Sequence, residues 1–216
     1  MADRAFTTLV TRIQPSVPGC PQPTIIQYIR EAAIRTCEKT LAWRYQPALF
    51  NLTASVSEYA YSKPANTDVH VMFDAVVNKR PLERLTMEKA IELYPQWTAA
   101  DSASTPQSIT QLTPDQYIIL PLPDALATYQ VRMFLALKPK RNATGMEEIV
   151  FDELEDAITH GALQQLLVLP DVQWSDRELA VYHAKQFTYQ CAERRARANL
   201  SNMRGTVRAK MQPFGA

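Results

Sequence analysis

Residues 24–44 read Thr-Ile-Ile-Gln-Tyr-Ile-Arg-Glu-Ala-Ala-Ile-Arg-Thr-Cys-Glu-Lys-Thr-Leu-Ala-Trp-Arg. Ile25, Ile29, Ala33, Cys37 and Leu41 recur at four-residue steps with Ile26 and Ile34 beside them, while Arg30, Glu31, Arg35, Glu38 and Lys39 take the other side. Side chains four apart share one face of a 3.6-residue helix, so this spacing predicts an amphipathic helix with a single apolar stripe. Thr24 with Gln27 three residues on has the pattern of a capping box. Pro47 cannot continue a helix, which places the end near Arg44. Prolines 15, 18, 21 and 23 predict an extended or turning lead-in over residues 14–23.

An apolar stripe needs a partner, and the far end of the chain offers two. Thr144-Gly-Met-Glu147 is a second capping-box pattern, followed by Val150, Phe151, Leu154, Ala157, Ile158, Gly161, Ala162 and Leu166 at helical spacing up to Pro170. Ser175-Asp-Arg-Glu178 is a third, opening a long helix with Leu179, His183, Phe187 and Cys191 in register. Between the helices, residues 47–139 break into β-type runs at 49–53, 69–77, 107–112, 117–120 and 129–137. In the last run Val131, Met133 and Leu135 alternate with Arg132, Phe134 and Ala136, the period of a strand. Thr113-Pro-Asp-Gln and Asn78-Lys-Arg-Pro read as hairpin turns, and residues 87–94 as a short helix capped by Thr86 and stopped by Pro95. The residues therefore predict an α+β fold. It is an antiparallel helical bundle with a β-rich insertion between its first and later helices, plus an extended C-terminal arm. The expected divisions are 1–46 (lead-in and first helix), 47–139 (β-rich insertion), 140–200 (remaining helices) and 201–216 (basic arm).

Composition narrows the function. Across 216 residues, 23 Lys+Arg stand against 22 Asp+Glu, a formal charge of +1. That balance argues against holding nucleic acid or an anionic membrane by overall field. No apolar run approaches the ~18 residues of a membrane span, and the N-terminal residues lack a signal peptide's apolar core. Cys20, Cys37 and Cys191 are odd in number and lie far apart, so buried thiols are expected rather than a disulfide framework or a metal site. Five glycines form neither a dinucleotide-binding nor a P-loop pattern. His70, His160 and His183 form no zinc-protease pair, and no nucleophile elbow occurs. No catalytic residue, cofactor or metal is expected, and the chain is expected not to be an enzyme. The one enzymatic alternative draws on the acidic residues 147–156 with His160, whose imidazole Asp156 could orient one helical turn away.

Charge is unevenly placed at the C-terminus. Between Cys191 and Ala216, Arg194, Arg195, Arg197, Arg204, Arg208 and Lys210 face only Glu193. The three arginines before residue 200 suit a solvated helix end, where cations complement the dipole. Arg204, Arg208 and Lys210, spaced through a segment broken by Gly205 and ending in Met211, Pro213 and Phe214, suit an arm that docks in a protein groove.

A series of short motifs in order carries a resemblance. It runs from Tyr28-Ile-Arg-Glu-Ala-Ala-Ile-Arg-Thr-Cys and Leu41-Ala-Trp-Arg through Val76-Val-Asn-Lys-Arg-Pro-Leu, Leu93-Tyr-Pro-Gln-Trp and Ile119-Leu-Pro-Leu-Pro. It continues with Leu135-Ala-Leu-Lys-Pro, Phe151-Asp, Gly161-Ala-Leu and Leu169-Pro-Asp-Val-Gln-Trp-Ser-Asp. In this order the chain resembles the head-to-tail adaptor (connector, head-completion) proteins of tailed bacteriophages. The resemblance implies a structural virion protein that forms a homo-oligomeric ring, commonly a dodecamer, below the portal protein ring. Such a ring extends the DNA channel, lets packaged double-stranded DNA pass without sequence-specific binding, and offers a platform for tail or nozzle proteins at the head-to-tail interface. It would be assembled in the host cytoplasm, with no membrane partner. In similar proteins a C-terminal arm reaches the portal, a role that falls here by position on Arg204, Arg208, Lys210, Met211 and Phe214. The alternative is a DNA-binding module using the basic C-terminal helix and tail.

Overall fold

A computed structural model describes residues 3–97, 99 and 103–200. It shows a mixed α/β protein with five α-helices and three sheets among the described residues. Helix α1 (Val10–Ile13) and helix α2 (Gln22–Thr40) precede the strands, α3 (Met87–Leu93) sits among them, and α4 (Glu148–Leu166) and α5 (Arg177–Asn199) follow.

The N-terminal residues do more than lead in. Strand β1 (Asp3–Ala5), a 3-10 turn at Phe6–Leu9, α1 and a second 3-10 turn at Gln14–Ser16 fold into a strap. Phe6, Leu9, Ile13 and Val17 of this strap are almost wholly buried. Strand β1 pairs antiparallel with β11 (Gly145–Glu147), Arg4 lying opposite Met146. That pairing overturns the capping box expected at Thr144: residues 145–147 are extended, and α4 starts at Glu148 with no side-chain cap. The Glu147 carboxylate instead accepts a bond from Trp43 Nε1 at 3.0 Å.

The other boundaries moved for comparable reasons. Helix α2 starts at Gln22, with Pro21 extended before it and no side-chain cap, so Thr24 lies inside the first turn. It ends four residues before the expected Arg44. Leu41 turns left-handed (φ 53°) and its N–H bonds the Cys37 carbonyl, which frees Arg44–Tyr45 to form β2 against β10. Helix α5 is capped by Asp176, whose carboxylate accepts from the Leu179 N–H at 2.9 Å, whereas the Ser175 hydroxyl bonds the Leu167 carbonyl. Its buried stripe is Ala180, His183, Phe187 and Cys191, with Ala180 in the place expected for Leu179, which is exposed.

All five β-type runs contain strands. The larger sheet sets β10 (Gln130–Pro139) beside β5 (Thr67–Val77), with β2, β3 (Phe50–Asn51) and β6 (Arg80–Pro81) at the margins, all antiparallel. The second joins β4 (Glu58–Ala60), β9 (Gln116–Leu120), β8 (Ser108–Thr113) and β7 (Glu83–Arg84). Both expected hairpin turns, at Asn78 and at Pro114, link antiparallel neighbours. Helix α3 is capped as expected by Thr86.

Helix α2 packs against α4, α5 and strand β10, and α4 against α5. One apolar cluster therefore runs from Phe6 in the strap through Ile25, Ile29, Leu135 and Phe151 to Ala180. At Gly161 a side-chain carbon would sit 3.0 Å from the Phe187 ring and 3.1 Å from the Ala32 methyl, so the helices meet through their smallest residue.

The strap is a testable part of the core. Phe6→Ala is expected to lower unfolding stability by about 3–5 kcal/mol through transfer and cavity losses. Gly145→Ala should also destabilise, because a Cβ there would overlap the Arg4 carbonyl. Urea denaturation measures both, and a Gly145→Ala midpoint equal to the parent would mean that β1 does not pair with β11.

Candidate functional site

The arm residues expected to dock, Arg204, Arg208, Lys210, Met211 and Phe214, lie outside the described residues. What the structure does place is the basic helix end before them. Arg194 approaches Glu153 of α4 at 4.0 Å. Arg197 pairs with Glu193 one turn earlier at 2.5 Å. Arg195 donates from Nη1 to the Lys39 carbonyl at 3.1 Å, satisfying an orphan acceptor in the last turn of α2. Each of the three thus has an intramolecular partner, while Arg195 and Arg197 remain exposed at the solvated helix end.

The acidic run along α4 is likewise committed. Arg4 pairs with Asp152, and Arg12 with Glu155 at 3.0 Å and Asp156 at 2.6 Å. With Glu147 bound to Trp43 and Glu153 to Arg194, the carboxylates clasp the N-terminal strap on one side and α5 on the other. Asp156 pairs with Arg12 rather than hydrogen-bonding His160, whose imidazole bonds elsewhere.

His160 Nδ1 lies 2.7 Å from His183 Nδ1, across the α4–α5 contact. Each residue stood out alone in the sequence, but their pairing depends on the crossing of two helices and had no local signal. A bond between two like ring nitrogens requires one imidazole to donate Nδ1–H and the other to accept through a bare Nδ1, so the acceptor must be neutral. Burial pushes both imidazoles below their ordinary value, and for His183 the neighbouring His160 charge adds to the effect. For His160, Asp156 acts in the opposite direction and Arg12 reinforces burial. The Tyr182 ring packs edge-on against both imidazoles.

Two surface regions remain unlike each other. The outward side of α5 exposes Val181 (55%), Tyr182 (52%) and Tyr189 (65%), apolar groups of a kind that commonly mark protein contacts. The margin of the larger sheet holds a cleft of about 720 Å³ between the β5–β6 turn and β10, lined by the apolar Leu49 and Val76 as well as Gln46, Asn78, Lys79, Gln130 and Arg132. Neither surface was singled out in the sequence.

A family model described as the SU10 adaptor protein matches residues 4–210. The chain belongs to the SU10 adaptor protein family. The matched span of this adaptor opens on Arg4 in strand β1 and takes in the strap, both larger sheets and all five helices. It also includes Arg204, Arg208 and Lys210, while Met211 and Phe214 fall beyond it. No curated protein matches the chain. No helix among the described residues of the adaptor is long and apolar enough to cross a membrane.

The imidazole pair gives this adaptor a pH dependence of known sign. Because both folded-state values lie below the ordinary 6.5, the unfolded chain binds more protons as pH falls through that value. The pair's stabilisation is complete above about pH 6.5 and is lost on acidification below it. Thermal melting from pH 8 to pH 5 should therefore show a steeper fall for the parent than for His160→Gln. Identical slopes would contradict the pairing.

Proposed function

We propose that this adaptor-family chain is a structural virion protein of a tailed bacteriophage, without catalytic activity. It forms a ring that docks below the portal, extends the DNA channel and receives tail or nozzle proteins. Membership of the SU10 adaptor family across residues 4–210 is the observation that carries this reading. The ordered motifs support it independently, since they span the same elements from α2 to the α4–α5 corner.

The surface is compatible with ring assembly. Cyclic rings are built from heterologous contacts, in which two different faces of each subunit meet. The exposed apolar side of α5 and the sheet margin, where Lys79 and Arg132 accompany Leu49 and Val76, are two such unlike faces. In this reading residues 1–46 and 140–200 supply an antiparallel helical bundle, residues 47–139 are its β-rich insertion, and residues 201–216 are an arm reaching the portal. A formal charge of +1 suits a lumen through which DNA slides without being gripped. Twelve subunits is the expected ring size, from the resemblance to head-to-tail adaptors.

Negative-stain microscopy of the purified chain mixed with its phage's portal ring tests the assembly. A second ring stacked on the portal is expected, and a portal that remains bare would refute the proposal. Deleting residues 204–216 should leave the melting temperature unchanged while weakening portal attachment at least tenfold, equivalent to about 1.4 kcal/mol or more. Full attachment of the truncated chain would remove the arm from the account.

A further inference from the structure

A groove of about 670 Å³ opens where α2, α4 and α5 meet. Val168 just beyond α4, with Ala180, Val181, Ala184 and Phe187 of α5, gives it an apolar floor. Val168 and Val181 are both exposed there. Arg35 and Lys39, one helical turn apart on α2, form its rim, and the rest of the lining is uncharged. Neither cation makes an ion pair among the described residues; the Lys39 ammonium lies over the Phe187 ring at 4.8 Å. The groove therefore suits an apolar side chain carried between negative charges.

The chain holds that complement itself, on α3. Glu88, Ile91 and Glu92 are spaced i, i+3 and i+4, so they share one side of the helix, and all three are exposed. Lys89 falls outside this stripe. Neither carboxylate makes an ion pair among the described residues. The other side of α3, with Met87, Ala90 and Tyr94, packs with Leu85, Ile118 and Leu120 in a cluster of its own. Other exposed apolar side chains lack this setting. The carboxylates spaced to share Ile149's side of α4, Asp152 and Glu153, are held by Arg4 and Arg194. Leu126 stands among Ala125, Ala127 and Thr128. Leu49 shares the sheet margin with Lys79 and Arg132, whose charge repels the cationic rim.

We propose that the α3 stripe of one subunit seats in the α2–α4–α5 groove of a second copy of this chain. The proposal rests on the ring reading above and gives that ring a subunit contact. Ile91 enters the apolar floor, while Glu88 and Glu92 face Arg35 and Lys39. Stripe and groove belong to different parts of a subunit, the second sheet and the helices, so the contact is heterologous. Repetition of such a contact builds a ring where its rotation closes. The apolar centre supplies most of the affinity, and complementary charge at the rim fixes the register. Because these charges are exposed, added salt weakens the contact.

Charge reversal in the full chain tests the contact. Mass photometry reads self-association of the free chain, and negative-stain microscopy reads rings stacked on the portal. Glu88→Lys with Glu92→Lys should weaken assembly by about tenfold or more, and Arg35→Glu with Lys39→Glu should do the same. The chain carrying all four reversals should regain assembly, because every contact again joins opposite charges. If Lys39→Glu lowers the melting temperature, Arg35→Glu alone serves in its place. Reversed variants that ring the portal as the parent does would overturn the contact and leave the adaptor reading standing. Loss of assembly in both pairs without recovery in the combined variant would overturn it too. Variant rings that form normally but no longer take up tail or nozzle proteins would give the groove to that partner instead. A parent that assembles neither free nor on the portal fails the ring reading itself, and the contact with it.

Discussion

Three helices can share one apolar seam only where their backbones approach closely, and Gly161 is where this chain allows it. The Phe187 ring of α5 and the Ala32 methyl of α2 converge on the space a side chain would fill. Ala33, Ala157, Ala162 and Ala180 continue the run of small buried residues around that point. Close packing there positions the other side of α2 against β10, and Lys138 of that strand meets Glu38 of α2 at 2.6 Å. The larger sheet, and with it the cleft beside β6, is thereby held in a fixed relation to the helices.

Electrostatics closes what packing begins. The carboxylates of α4 look in the sequence like a solvated, dipole-favoured cluster, yet they are shared between Arg4 and Arg12 of the strap and Arg194 of α5. These pairs are partly exposed, so each contributes little alone, about 0–1 kcal/mol. Their value lies in choosing which side of α4 the strap and α5 occupy. The outward side of α5 is left to its exposed valine and tyrosines.

Long periodic elements were legible in the sequence. The stripes of α2 and α4 and the alternation of β10 show in the spacing of their apolar residues, and Asn78 and Pro114 announce their turns. The miss at the start of α4 has a tertiary cause: a distant segment competed for the same backbone. Thr144 and Glu147 satisfy a capping pattern, but β1, more than 140 residues away, takes the extended backbone of residues 145–147. The strap escaped notice because runs of three or four residues in 3-10 turns carry no period. The expected arm residues stand beyond the described chain. The His160–His183 bond and the Lys79–Arg132 cleft join residues that only tertiary structure brings together.

All three thiols of the chain are buried: Cys37 lies at the foot of α2, Cys191 beside it on α5, and Cys20 ahead of α2. Burial pushes each thiol upward, Cys191 to about 11 even with Lys39 nearby favouring the thiolate. The nucleophilic thiolate is thus scarce at neutral pH, and reagents have little access to it. A single cysteine introduced on the outward side of α5 would then be the fast-reacting thiol in an otherwise native chain. Spectroscopic probes or crosslinkers placed there could report on whatever that side touches without the natural cysteines first being removed.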